Sequence, residues 1–240
     1  MNSNPKNIVI TGASRGIGYA TAIHFATNLE KPTLFVLARS KEKLENLQKE
    51  IQSINPNAKV YPLTVDLMDF SKSDLAPIYQ TTESIDILLN NAGYLVHRPF
   101  GKIIKEEWMN SFHVNFFGPM KLIRHLSPLM GKSTTGHIVN ITTMGAVQGS
   151  VKFPGLTAYS TSKAALTNLT ELLAEEFKKK NIAVNALALG AVQTQMQQEA
   201  FPNYKAPLTA NEMAAYISHF CLTAHKFMNG KIVPVSISTP

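Results

Sequence analysis

Thr11-Gly12-Ala13-Ser14-Arg15-Gly16-Ile17-Gly18 is the stretch whose reading decides the fold of this chain. It comes directly after the apolar run Ile8-Val9-Ile10 and precedes a helical pattern over residues 16–29, with apolar Ile17, Ala20, Ile23, Phe25 and Ala26. A strand, a glycine-rich turn and a helix in that order aim unpaired backbone N–H groups, and the positive end of the helix dipole, at the turn. Glycines let the backbone turn tightly and approach a ligand closely, because they carry no Cβ. An anion fits such a place, and the pyrophosphate of a dinucleotide is the commonest one. The spacing departs from G-x-G-x-x-G, so the assignment leans on motifs further along the chain.

Working outward, apolar strands are expected at residues 7–11, 33–38, 59–65, 85–89, 137–141, 183–188 and 231–235. Helical patterns fall between them at 41–54, 75–81, about 105–130, 158–180 and 209–223, the last opened by a Thr209-x-x-Glu212 capping box. Strands alternating with helices imply a parallel sheet covered on both faces, and right-handed crossovers make it doubly wound. The expectation is a single α/β domain over residues 1–240, a Rossmann-type sheet of about seven parallel strands. The irregular stretches 144–157 and 190–207 each come after a strand, so both belong at the carboxyl edge of the sheet, where ligands bind in such folds.

Composition narrows the classes. The 240 residues are 45% hydrophobic and 16% charged, enough for a full core. No apolar run approaches a membrane span, and residues 1–7 are polar with no signal-peptide core. The single cysteine, Cys221, cannot form an internal disulfide, and a cytoplasmic setting is expected. A net charge of +7 invites a nucleic-acid reading, but the basic residues are dispersed. The densest run, Lys178-Lys179-Lys180, sits at a helix end where it complements the dipole. No nucleic-acid or membrane partner, and no metal, is expected.

The chemistry gathers at Tyr159 and Lys163. Their spacing of four at the start of a helical pattern puts them on one face. A lysine ammonium beside a phenol favours the phenolate, so the tyrosine is expected to titrate below its usual range and to trade a proton near neutral pH.

In order and spacing, Thr11-Gly-x-x-x-Gly16-x-Gly18, Asn90-Asn91-Ala92-Gly93, Asn115 in Val114-Asn115-Phe116-Phe117-Gly118, and Tyr159-x-x-x-Lys163 resemble the short-chain dehydrogenase/reductase family. The resemblance spans nearly the whole chain. It implies hydride transfer between a nicotinamide and a carbonyl or alcohol. It makes Tyr159 the general acid in reduction and has Lys163 lower its pKa and bond the nicotinamide ribose. Asn115 is to disrupt its helix and hold a relay water, with Asn91, Ala92 and Gly93 packed along the cofactor. Gly12, Ser14, Arg15, Gly16, Ile17 and Gly18 take the diphosphate turn.

Two departures stand out. The family's serine after the fifth strand is here Thr143, whose hydroxyl can still donate to a substrate oxygen although its methyl crowds the site. Ser150 and Thr157 are the fallback hydroxyls. After the sixth strand Leu189-Gly190 stands where Pro-Gly is usual, with Val192 and Thr194 matching the positions that meet the carboxamide and the diphosphate. These departures keep open a protein that binds the cofactor as a sensor or scaffold with little turnover.

Ala38-Arg39-Ser40 ends the second strand without the acid that would accept from a ribose 2′-hydroxyl. Arg39, aided by Arg15, suits a 2′-phosphate, so NADP(H) is the expected cofactor. Asp66-Leu67 resembles the pair that meets adenine. The substrate pocket is expected from residues 94–99, 143–157 and 190–207, with an apolar lining of Met144, Leu156, Phe153, Met196 and Phe201 and little lid. His97 and Arg98 are expected to face solvent. The resemblance further implies a small carbonyl or alcohol substrate and a homodimer or homotetramer paired through helices 105–130 and 158–180.

Overall fold

Alternation along the strands decides how the chain packs. Ile8, Ile10, Leu34 and Val36 face one side of the sheet, Val9, Phe35 and Leu37 the other, and all are buried. A strand buried on both faces must be covered on both. In the computed structural model, which describes residues 6–237, helices supply that cover. The polar N-terminal stretch with no signal-peptide core lies outside the described residues, save Lys6 and Asn7.

The elements run β1 (Asn7–Thr11), α1 (Gly16–Asn28), β2 (Thr33–Ala38), α2 (Lys41–Ile54), β3 (Lys59–Thr64), α3 (Ala76–Thr81), β4 (Ile87–Asn90), α4 (Lys105–Phe112), α5 (Gly118–Leu126), β5 (Gly136–Thr143), α6 (Thr157–Glu176), β6 (Ile182–Leu189), β7 (Val192–Gln193), α7 (Gln195–Ala200), β8 (Leu208–Thr209), α8 (Ala210–Thr223) and β9 (Ile232–Val235). Seven strands form one parallel sheet in the order β3-β2-β1-β4-β5-β6-β9, as expected. The chain steps outward from β1 to β3, then returns to the other side of β1 with β4. At that reversal a crevice opens beyond the carboxyl ends of β1 and β4. The edge strands β3 and β9 each carry a proline, Pro62 and Pro234, which deters pairing with a further strand.

The face holding α1, α2 and α8 buries Phe25, Leu44, Leu47, Ile51, Ile217 and Phe220. The opposite face, under α3, α5 and α6, buries Ile78, Leu122, Leu126 and Ala174.

The helix expected over 158–180 ends at Glu176, with Lys178–Lys180 in a separate tighter turn, and the structure differs from the sequence reading more deeply in three places. The strand expected at 85–89 begins at Ile87, because Ile85 makes an isolated bridge to Met130. The helix expected over 105–130 is broken by a π-helical stretch, His113–Phe117, centred on Asn115. The segment 190–207, expected to be irregular, holds β7 and α7. Thr194 starts α7 by accepting from Gln197 N, and β7 pairs with β8.

Beneath the sheet, His137 is wholly buried, with Nδ1 2.9 Å from Cys221 O and Nε2 3.0 Å from Asn185 Nδ2. A carbonyl can only accept and an amide NH₂ can only donate, so the ring is the neutral Nδ1–H tautomer. Burial first, with His225 adding to it, drives its pKa from 6.5 to about 4. In the window between those values the unfolded chain binds a proton that the folded chain refuses. Stability therefore falls as pH drops from 6.5 to about 4. Urea titrations are expected to show the loss, on the order of 3 kcal/mol from this group. A His137→Gln variant should show a shallower acid slope.

Candidate active site

Thr11 ties the two strands that flank the crevice. Its Oγ1 accepts from the backbone N–H groups of Asn91 and Ala92, both at 3.0 Å. Asn91 Nδ2 donates back to Thr11 O at 3.0 Å. The glycine turn is held close against this knot. Gly12 and Gly16 have φ of 69° and 59°, in the left-handed region that favours glycine. A Cβ on Gly12 would lie 2.8 Å from Ala92 Cα, and one on Gly18 2.5 Å from Gly12 O. The turn therefore needs glycine at both places. At the start of α1 no side chain caps the helix and no acid stands in its first turn. By contrast α2 and α8 are capped by Ser40 and Thr209. The uncapped N-terminus of α1 opens on the crevice, which suits a phosphate group.

The crevice is a cavity of about 980 Å³ along the carboxyl edge of the sheet. Its β1–β3 side is lined by Ser14, Arg15, Gly16 and Ile17, by Arg39 and Ser40, and by Asp66 and Leu67. Lys43, within the helical pattern at 41–54 and not singled out from the sequence, joins Arg15 and Arg39 there. Three cations thus border the end where a 2′-phosphate is expected. Asn91, Ala92 and Gly93 line the middle, and Thr143, Tyr159, Lys163, Val192 and Thr194 the β5–β6 side. Of the residues singled out from sequence, Gly18 and Asn115 lie behind the lining rather than on it. Ser150 and Thr157 do not line it either. Ser150 donates instead to Val147 O at 2.9 Å.

Tyr159 and Lys163 project from the first turns of α6, one turn apart. Lys163 is 2% exposed, and its Nζ donates to Ile141 O at 2.8 Å and Ala92 O at 3.4 Å. Burial draws it from 10.5 down to about 7, and burial pushes the half-buried Tyr159 phenol up to about 12. The expected lowering of the tyrosine by its neighbour is thus not what the surroundings of the protein alone produce. The ammonium is turned to two carbonyls, and desolvation outweighs it. At neutral pH the phenol keeps its proton, the form in which it can donate one.

A depressed lysine also sets a stability trend. Between about pH 7 and 10.5 the unfolded chain holds a proton that folded Lys163 gives up. The cost is present in full below that window and gone above it. Lys163→Met is expected to lose about a hundredfold in turnover. Its stability relative to wild type should decline steadily as pH rises through the window, as thermal melts would show.

Asn115 sits in the π-helical stretch, buried, with Oδ1 accepting from Tyr94 N and Nδ2 donating to Tyr94 O, both at 2.8 Å. Nδ2 also donates to Ser162 Oγ at 2.9 Å. Both amide hydrogens are spent, so the side chain pins the loop after β4 to α6 beside Lys163 and has no hydrogen left for a relay water. Thr143 Oγ1 accepts from Gly145 N at 3.3 Å, and its hydroxyl hydrogen can turn to a ligand. Leu189, in place of proline, extends β6 by pairing with Thr143 and Val235, and Gly190 N–H donates to Val235 O at 2.9 Å.

His97 and Arg98 are exposed, as expected, yet engaged. Arg98 pairs with Glu107 at 2.8 Å. His97 Nδ1 lies 2.9 Å from Ala200 O, and its ring stands 4.5 Å from that of Phe201. The lid is larger than expected: α7 reaches over the glycine turn, where Glu199 lies 3.8 Å from Arg15. Among the described residues no cluster of three His, Cys, Asp or Glu could hold a metal, and no helix is long and apolar enough to cross a membrane.

A dinucleotide crevice with a Tyr-x-x-x-Lys helix at its far end defines a nucleotide-dependent oxidoreductase class. The short chain dehydrogenase profile matches residues 6–205, and the chain belongs to that family. It is 34% identical to a 3-oxoacyl-[acyl-carrier-protein] reductase of Thermotoga maritima, over 83% of this chain and 79% of that one. It is 30% identical to a fatty acyl-CoA reductase of Mycobacterium tuberculosis, over 88% of this chain and 72% of the other. Its fold matches a short chain dehydrogenase of Escherichia coli complexed with NADPH, with a TM-score of 0.86, 25% identity and 97% of each chain covered. L-sorbose reductase of Gluconobacter frateurii shares the fold at a TM-score of 0.88 and 24% identity, over 100% and 98% of the two chains.

Proposed function

We propose that the chain reduces a ketone or aldehyde carbonyl, 3-oxoacyl groups included, to the alcohol in an NADP(H)-dependent reaction. The observation that carries this reading is one cavity bordered by Arg15, Arg39 and Lys43 at one end and by Tyr159 and Lys163 at the other. Arg39 and Lys43 would hold the 2′-phosphate, with Arg15 beside them, and the N-terminus of α1 the diphosphate. Asp66 and Leu67 would border the adenine. Asn91, Ala92 and Gly93 would pack along the cofactor, Val192 would meet the carboxamide, and Thr194 the diphosphate. Nicotinamide, when bound, supplies the hydride that reaches the carbonyl carbon.

The protein's own part is proton chemistry and positioning. Tyr159, protonated at neutral pH, hands its phenolic proton to the carbonyl oxygen, and Thr143 donates a hydrogen bond to the same oxygen. Lys163 would bond the nicotinamide ribose, and Asn115 ties the loop after β4 to α6 beside it. The buried free Cys221 fits work in the reducing cytoplasm. Exposed Met109, Phe117 and Leu172 on α4, the π-helical stretch and α6 support a homodimer or homotetramer built through those helices. Dispersed charge supports a small-molecule partner rather than nucleic acid.

NADPH consumption with a panel of ketones and aldehydes tests the reading. Turnover is expected with NADPH well above NADH. Tight NADPH binding with no turnover of any carbonyl would favour the sensor or scaffold.

A further inference from the structure

The cavity is electrically lopsided. Its three cations lie just beyond β1 and β2, whereas the side built from β5, α6 and the segment after β6 is lined by a single charged side chain, Lys163. That lysine is committed to two backbone carbonyls. Met144, Phe153, Leu156, Met196, Phe201 and Tyr204 form the walls of this arm. Gln197 Nε2 donates to Tyr204 O at 3.0 Å, and Gln195, at the exposed edge of the arm, donates from Nε2 to Glu199 Oε1 at 2.8 Å.

The walls are also fixed from outside. His97 packs its ring, tilted by 38°, 4.5 Å from that of Phe201 and sets Nδ1 2.9 Å from Ala200 O, so the loop after β4 clasps the end of α7. Gly155, at φ 86°, lets the loop before α6 close on the same ring, since a Cβ there would lie 2.5 Å from His97 Cδ2. Three loops meet on one histidine, and Phe201 is held at the arm.

We infer that this arm selects carbonyl compounds whose substituents are uncharged and apolar, a methyl ketone with an alkyl or aryl chain being the simplest case. The inference rests on the reductase reading and specifies its substrate. A carboxylate or phosphate placed here would be desolvated without a partner. A polyhydroxy ketone would set its hydroxyls against thioether, aromatic and alkyl groups over most of this wall, losing water without gaining partners there. Thioether and aromatic walls adapt to chains of different length, so affinity grows with apolar area. In the step itself the carbonyl carbon gains the hydride of NADPH, the oxygen gains the Tyr159 proton, and NADP⁺ is the oxidised product.

The test compares methyl alkyl ketones of increasing length with the α-keto acids of the same lengths and with polyhydroxy ketones, all with NADPH. The expected result is a kcat/KM rising about fourfold per methylene along the ketones. The keto acids and polyhydroxy ketones should be slower by about tenfold or more. Met196→Lys, at a partly buried position of the wall, should flatten the ketone series and raise keto-acid turnover. A flat ketone series, or faster keto acids in wild type, overturns the inference while leaving the reductase reading standing. Should none of these compounds be consumed, nor any aldehyde or 3-oxoacyl thioester, the reductase reading fails. Saturation-transfer NMR of the ketones with the NADP⁺-loaded protein then decides the arm: binding that strengthens with chain length upholds it, and its absence overturns it.

Discussion

Tyr159→Phe is expected to lower kcat/KM for carbonyl reduction about a thousandfold while leaving NADPH affinity nearly unchanged. The substitution removes one hydroxyl and keeps the ring. Tyr159 lies on the first turn of α6, half-buried at the cavity wall, and burial holds its pKa near 12. A phenol so placed is protonated throughout the neutral range, and Thr143 alone would be left to stabilise the developing alkoxide. Because the loss is confined to the proton-donating step, it should appear in kcat rather than in the dissociation constant of the cofactor. Steady-state rates and calorimetric titration of NADPH give the two quantities separately. Turnover within about tenfold of wild type would move the proton donor elsewhere.

Arg39→Asp should reverse the cofactor preference, cutting NADP⁺ affinity by about a hundredfold and improving NAD⁺ binding. Arg39 is exposed at the end of β2 and lines the cavity with Arg15 and Lys43. Replacing it removes a charge-assisted contact to the 2′-phosphate and sets a carboxylate against that anion. The same carboxylate can accept from a ribose 2′-hydroxyl, the arrangement that favours NAD. Arg15 is partly engaged by Glu199, and Lys43 remains, so some NADP⁺ binding should persist. Calorimetry with both cofactors reads the ratio; an unchanged ratio would take Arg39 out of phosphate recognition.

The legible parts of the fold were those written locally. The apolar run, glycine turn and helix at residues 8–29 are short-range signals, and the strand–helix alternation fixed a parallel sheet with seven members. The Thr209–Glu212 capping box was readable because its two residues are three apart and both polar. The illegible parts depend on partners distant in sequence. Nothing near Asn115 announces that Tyr94 will occupy its amide, and nothing near Lys43 says that α2 begins at the cavity rim. Gln195–Ala200 is six mostly polar residues, too short for its periodicity to register as a helix.

The titration of Tyr159 shows the same limit at the site. Its spacing from Lys163 was readable, but the burial that raises the phenol and lowers the lysine comes from elements that close over both. Thr143 could be picked from its place at the end of β5, and the cavity lining includes it but neither Ser150 nor Thr157.

Deuterium transfer tests the central claim most directly. NADPH carrying deuterium at the transferable position of its nicotinamide is incubated with the protein and a methyl alkyl ketone, and the alcohol is analysed by mass spectrometry. The account predicts one deuterium on the carbinol carbon of a single enantiomer, with matching loss of NADPH. NADPH bound tightly but recovered intact, with no labelled alcohol formed from any carbonyl offered, would contradict it.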